Sequence, residues 1–196
     1  MQIVLASASP RRRELLQRLG LSFRIAVPEV DESIRAGEAP ADFCLRISRE
    51  KALSISLLMP GALVISADTI VVAHGKILGK PADEEEAREH LRLLKGATHE
   101  VYTGYAIIYG SRSAGRAVRT LVPFQDMSEE EISWYVSTRE PMDKAGSYGL
   151  QGIASIFISG IEGSYTNVIG LPLSELYNDL KGFGITLQPG REEGNP

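Results

Sequence analysis

Short apolar runs, broken by glycine, proline and small polar residues, alternate along the chain with stretches of helical periodicity. Ile3 to Leu5 read as a buried strand and the next residues as a small polar turn. Ser9 is then a suitable N-cap and Pro10 a suitable first-turn residue for a helix that runs to about Leu19 and stops at Gly20. Phe23 to Val27 predict a second strand, followed by an acidic turn with Glu29, Asp31 and Glu32. Ala41 to Met59 predict a long helix whose stripe holds Phe43, Ile47, Ser54 and Leu58, with Glu50 and Lys51 flanking it. Ala62 to Ser66 form the strongest buried strand, interrupted by Ala67-Asp68-Thr69 before the apolar run resumes at Ile70 to Ala73. His74-Gly75 predict a hairpin turn, with Lys76 to Leu78 pairing back. Pro81 fixes the chain's exit, so Lys80 is expected to point inward.

Asp83 caps a helix through Lys95, ended by Gly96. Glu100 to Tyr109 and Arg116 to Phe124 read as paired strands around a Gly110 to Gly115 loop. Ser128 and Glu131 form a capping box for a helix through about Thr138, with Ile132, Tyr135 and Val136 on its core side. Asp143 to Gly152 is a glycine-rich loop suited to close backbone approach to a ligand. Ile153 to Ser159 and Tyr165 to Ile169 are expected to be a further strand pair, and Ser174 to Leu180 a final helix. The order is mixed α/β with several hairpins. The domain spans residues 1 to 188, and Pro189 to Pro196, lacking an apolar anchor, is expected to be disordered.

Composition narrows the class. With 196 residues, 43% hydrophobic and 23% charged, the chain can bury one core or a core split between two lobes. No segment approaches ~18 uninterrupted apolar residues and no secretory signal stands out, so a soluble protein without membrane contact is expected. The lone Cys44 cannot form an internal disulfide, which suits the cytoplasm. A net charge of −4, with its cations in local clusters, argues against a stable nucleic-acid complex and favours a small anionic ligand. A homodimer is compatible with all of this.

The candidate chemistry follows the charges. Free N–H groups at a helix start attract anions, and Ser7, Ser9, Arg11 and Arg12 add donors at the same place. Three consecutive arginines there oppose the helix dipole unless an anion lies among them. Lys80, with Lys51, extends the cationic set. Asp68, inside an apolar run, needs cations or a metal beside it, and either Glu32 or Glu50 could be its companion. Such a set outlines a polyphosphate site, where Mg²⁺ prefers few carboxylates plus phosphate oxygens. Gly75 to Pro81 is one residue short of a P-loop, the histidines lack metal spacing, and no G-x-S-x-G elbow occurs, so water remains as nucleophile.

The motifs LASASPRRREL, REKA at Arg49 to Ala52, SADTIV, LGKP, EPMDKAGSYGLQG and GLPLSE resemble those of the Maf (septum formation inhibitor) family of nucleotide pyrophosphatases, from Leu5 to about Leu180. The resemblance implies an elongated, bent mixed sheet with flanking helices and a cleft between two lobes, related to inosine triphosphate pyrophosphatases. It implies hydrolysis of a nucleoside triphosphate to monophosphate and pyrophosphate with Mg²⁺ or Mn²⁺, in nucleotide-pool control. Carried over by motif, Ser7, Arg12, Glu32, Lys51, Asp68 and Lys80 are the catalytic and phosphate-binding set; the residue reading adds Asp68 with Glu32 or Glu50 as candidate metal carboxylates. Arg11, Thr69 and Gln151 match the branch acting on dTTP and UTP; the branch resembling 7-methyl-GTP pyrophosphatases has a bulky aromatic in place of the first arginine. Other phosphoryl chemistry at the same site, or a nucleotide-binding regulator of cell division, are the competing classes.

Overall fold

The computed structural model describes residues 1–187; the Pro189–Pro196 tail lies outside the described residues. A six-stranded mixed sheet carries the chain. Its strands are β1 (Ile3–Ala6), β2 (Arg24–Ala26), β3 (Leu63–Ala73), β4 (Lys76–Leu78), β5 (Thr98–Tyr109) and β6 (Arg112–Pro123), ordered β2-β1-β3-β5-β6 with β4 paired to β3. β1 is parallel to β2 and β3, whereas β3, β5 and β6 are successive antiparallel partners. The helices are α1 (Pro10–Gln17), α2 (Pro40–Leu58), α3 (Glu84–Leu94), α4 (Glu129–Ser137), α5 (Tyr165–Ile169) and α6 (Leu173–Lys181). None of the described helices is long and apolar enough to cross a membrane.

β3 organises the layers because its side chains alternate between the faces of the sheet. Val64, Ile70 and Val72 pack against α2, through Ala52 and Ile55 at one end and Phe43, Cys44 and Ile47 at the other. On the opposite face, Leu63, Ile65 and Ala67 meet Leu15 and Leu16 of α1 and Leu176 and Leu180 of α6. Further along that face, Val71 and Ala73 join the cluster of α3 and α4. Two apolar clusters therefore share one face, and α2 covers the other.

The edge of β3 is interrupted. β1 pairs with Leu63 to Ser66 and β4 with Val71 to Ala73, so Ala67 to Ile70 have no strand partner on that edge, although β5 pairs with Val64 to Val72 on the other. A cleft opens at this gap, and Asp68 and Thr69 project from it to opposite faces. The two predicted apolar runs thus form one 11-residue strand with Asp68 near its middle.

Four details correct the sequence reading. The buried face of α2 comprises Phe43, Cys44, Ile47, Ser48, Lys51, Ala52 and Ile55. Lys51 lies on that face, while Leu58 is 77% exposed. The β5–β6 turn is tighter than a Gly110–Gly115 loop, since Tyr109 already pairs with Arg112. Residues 153–157 form a 3₁₀ helix and Tyr165–Ile169 an α-helix in place of the expected strand pair. The causes are local: the Glu140 carboxylate accepts from the Ile153 N–H (2.8 Å), and Ser164 caps the Asn167 N–H (3.2 Å). Between these two helices the chain makes isolated bridges to the end of β6 and beyond it, Ile158 with Phe124 and Glu162 with Leu121.

Candidate active site

The cleft has a volume of about 690 Å³, and its wall includes Ser7, Ser9, Arg11, Arg12, Glu32, Lys51, Asp68, Thr69, Lys80 and Gln151. Every catalytic, binding and specificity residue expected from the sequence therefore meets there. Their placement follows from the interrupted edge, with one group of side chains on each face.

On the α1 face, Ser9 caps the helix by accepting from the Arg12 N–H (3.4 Å), and Ser7 Oγ accepts from the Ser9 N–H (3.2 Å). This turns the hydroxyls of the β1–α1 loop inward and aims Arg12 across the sheet. The guanidinium is then held on three sides: Nε donates to the Gly170 carbonyl (3.0 Å), Nη1 to Ser7 Oγ (3.4 Å) and Nη2 to Thr69 Oγ1 (3.0 Å). Burial pulls its pKa below the ordinary arginine value, while the nearby Asp68 carboxylate acts in the opposite sense. Gly170 permits this clamp: its φ of 122° is left to glycine, and its carbonyl faces the guanidinium.

On the α2 face, Lys51 Nζ lies 2.8 Å from Asp68 Oδ1 and 2.8 Å from Glu32 Oε1. The ammonium joins the two carboxylates and compensates the cost of burying Asp68, which is only 7% exposed. Glu32 arrives on an irregular loop fixed by Arg46, which donates to the Ser33 carbonyl (3.0 Å) and pairs with Glu38 (2.6 Å). Glu50 is excluded as the companion of Asp68: it pairs with Arg35 and Arg46 and stays outside the cleft wall.

The remaining cleft residues come from loops. Lys80, after β4, is exposed and makes no hydrogen bond or ion pair among the described residues. Arg11 reaches Asp143 of the glycine-rich loop at 3.0 Å. Gln151, on the same loop, is exposed and its amide is unengaged among the described residues. The loop is anchored from below: His90 of α3 meets Ser147 Oγ at 2.8 Å, and His99 of β5 meets the Tyr148 hydroxyl at 2.7 Å. Arg13 lies outside this wall.

Asp143 and Gly170 escaped the sequence reading. Asp143 was visible within the glycine-rich stretch, yet nothing local marks it as the partner of Arg11, 132 residues away. Cys44 takes no part: burial pushes its thiol up to about 12, leaving no nucleophilic thiolate at neutral pH.

Chemically, donors line one side of the gap and two carboxylates joined by an ammonium line the other. That suits a polyanion brought alongside a carboxylate able to orient water.

Known proteins similar to this chain give its family. The chain is 50% identical over 185 residues to the dTTP/UTP pyrophosphatase of Syntrophus aciditrophicus (strain SB), covering 93% of this chain and 90% of that one. It is 48% identical over 189 residues to the dTTP/UTP pyrophosphatase of Symbiobacterium thermophilum, covering 96% and 97%. The Ham1 protein of Staphylococcus aureus, a solved structure, aligns at a TM-score of 0.49 with 11% identity, covering 93% of this chain and 100% of that one. The model of the family described as Maf-like protein matches residues 2–183, nearly the whole chain, and the chain belongs to that family.

Proposed function

We propose that this cleft hydrolyses dTTP and UTP to the nucleoside monophosphate and pyrophosphate in the cytoplasm. The observation that carries the reading is the division of charge across the gap in β3, with Arg12 and Ser7 on one face and Asp68, Glu32 and Lys51 on the other. The names of relatives about half identical to this chain supply the substrate class.

The roles follow from position. Ser7, Ser9, Arg11, Arg12 and Lys80 receive the triphosphate oxygens, and Arg12 and Lys80 stabilise the charge that develops on the leaving pyrophosphate. Arg12 is already clamped in place, so little reorganisation is needed as the bond breaks. Asp68 orients the attacking water and takes its proton, while Lys51 holds the carboxylate and offsets the approach of a phosphate.

A divalent cation, Mg²⁺ or Mn²⁺, fits the donor set. Asp68 and Glu32 each give one oxygen to Lys51, leaving Asp68 Oδ2 and Glu32 Oε2 without hydrogen-bond partners among the described residues. No group of three or more His, Cys, Asp or Glu side chains able to hold a metal gathers among the described residues. Two carboxylates completed by phosphate oxygens are the arrangement such a cation accepts. When bound, it neutralises phosphate charge and lowers the pKa of water.

Gln151, whose amide both donates and accepts, matches the O4 and N3–H edge shared by thymine and uracil. The test is a screen of natural and modified nucleoside triphosphates with the purified protein. Pyrophosphate release is expected to be fastest from dTTP and UTP, lost in chelator and restored by Mg²⁺ or Mn²⁺. Preference for 7-methyl-GTP or ITP overturns the substrate, orthophosphate as product overturns the bond cleaved, and full activity in excess chelator removes the metal.

A further inference from the structure

Thr69 and Thr103 face each other on β3 and β5, in the polar seam between the two apolar clusters. Their hydroxyl oxygens are 2.9 Å apart, and Thr103 is fully buried. Thr103 Oγ1 also lies 3.0 Å from the main-chain carbonyl oxygen of Asn167. A carbonyl has no proton to give, and oxygens in contact away from water need a proton between them. The Thr103 proton therefore goes to Asn167, and the proton between the two threonines is that of Thr69. Arg12 Nη2, which can only donate, approaches Thr69 Oγ1 at 3.0 Å. The chain of bonds runs one way, from Arg12 through Thr69 and Thr103 to Asn167. Thr69 lines the cleft with one lone pair to spare and no free proton: it can accept there, and it cannot donate.

We infer that Thr103 is a positioning residue for substrate choice: by taking the Thr69 proton it makes Thr69 Oγ1 an acceptor-only contact for the N3–H of uracil or thymine. The inference rests on the reading of the cleft as a dTTP and UTP site. Ionised phosphate oxygens carry no proton for such an acceptor, so its partner on the substrate is a donor of the nucleoside, a ribose hydroxyl or a base N–H, and of these only the base N–H differs between UTP and CTP. Uracil and thymine have a donor at N3; cytosine has an acceptor there, whose lone pair would confront that of Thr69. Of the O4 and N3–H pairing given to Gln151 above, the amide then keeps the donation to O4 and yields N3–H to Thr69. An amide alone discriminates weakly, since turning it over exchanges donor for acceptor and would suit cytosine equally well. A hydroxyl whose proton is committed to a buried neighbour has no such freedom.

The test compares kcat/KM for UTP and CTP, with pyrophosphate detection and thermal midpoints, in wild type, Thr103→Val and Thr103→Ser. Valine keeps most of the volume and frees the Thr69 proton to turn into the cleft; serine keeps the relay. The UTP-to-CTP ratio is expected to fall at least ~10-fold in Thr103→Val and to stay within about 2-fold of wild type in Thr103→Ser. Thr69→Val reads the same contact from the cleft side and should also lose the preference, even if Thr103→Val folds poorly. An unmoved ratio in either valine variant, or a serine variant as indiscriminate as valine, overturns the proposal while leaving the pyrophosphatase reading intact. Wild-type protein that releases no pyrophosphate from UTP or dTTP overturns that reading, and the proposal with it.

Discussion

Asp68 and its neighbour show how much depends on the alternation of a single strand. Consecutive side chains on β3 face opposite layers, so Asp68 meets Lys51 of α2 while Thr69 meets Arg12 of α1. The missing strand partner at this point lets one substrate reach both. Asp68→Asn preserves shape and removes the charge proposed above to accept the water proton. Turnover is expected to drop at least ~10²-fold, as when one positioned catalytic group is lost, with the circular dichroism spectrum unchanged. Activity within a factor of two of wild type would show that Asp68 is not the water-orienting group. The sequence singles this residue out because an acid inside an apolar run needs cations or a metal beside it; the plainer alternative, a strand-end turn aspartate, does not fit one continuous strand with Lys51 at 2.8 Å. Lys51 was harder to place: hydrophobicity assigned it to the edge of α2, whereas its burial is explained by two carboxylates that come from β3 and a distant loop.

At the scale of elements, the site depends on how closely α2 approaches the sheet. Gly104 of β5 is the register partner of Asp68, and a Cβ at Gly104 would overlap the Cys44 carbonyl and the Leu45 nitrogen. The glycine lets the helix backbone lie against the strand, with small residues Ser48 and Ala52 continuing the contact. Ser66 Oγ donates to the Ser48 carbonyl along the same seam. Gly104→Ala must therefore push α2 outward, and Lys51 with it. The expected cost is about 1–3 kcal/mol of stability, typical of overpacking, measurable by urea unfolding. A fall in kcat/KM of roughly 10-fold should accompany it as Lys51 leaves Asp68. Wild-type stability would mean that the helix does not rest on this residue. Most elements were legible because caps and turns are local: Ser9, Asp83 and Ser128 each cap the helix expected of them. The segment after the glycine-rich loop was misread because its apolar, β-branched residues suit strands, while a carboxylate from Glu140 and a hydroxyl from Ser164 decide otherwise.

Across the whole molecule, the face opposite α2 holds two apolar clusters with the polar seam between them, and the glycine-rich loop closes over the second cluster. That arrangement was not legible in the sequence, since it depends on where β1 and β4 leave β3. His99 ties the loop to the second cluster. It is 1% exposed, packs edge-on against Phe124 and Tyr148, and bonds only the Tyr148 hydroxyl among the described residues. Burial with no facing carboxylate depresses its pKa from 6.5 to about 4. The sign of the pH effect follows. Above pH ~6.5 the imidazole is neutral in both states and contributes no pH dependence. Between pH ~6.5 and 4 the unfolded chain takes up the proton first, so stability falls as the solution is acidified, and the loss is complete below the folded pKa. Between pH 6.5 and 4.5 this single group is expected to remove about 2 kcal/mol. His99→Phe suits the aromatic surroundings and removes the titrating group, at the cost of an unpaired Tyr148 hydroxyl that is independent of pH in this range. Urea unfolding of wild type and variant at both pH values separates the two effects. The variant should begin less stable and lose about 2 kcal/mol less on acidification. Parallel losses in the two proteins would show that His99 does not control the acid sensitivity of the cluster that holds the loop.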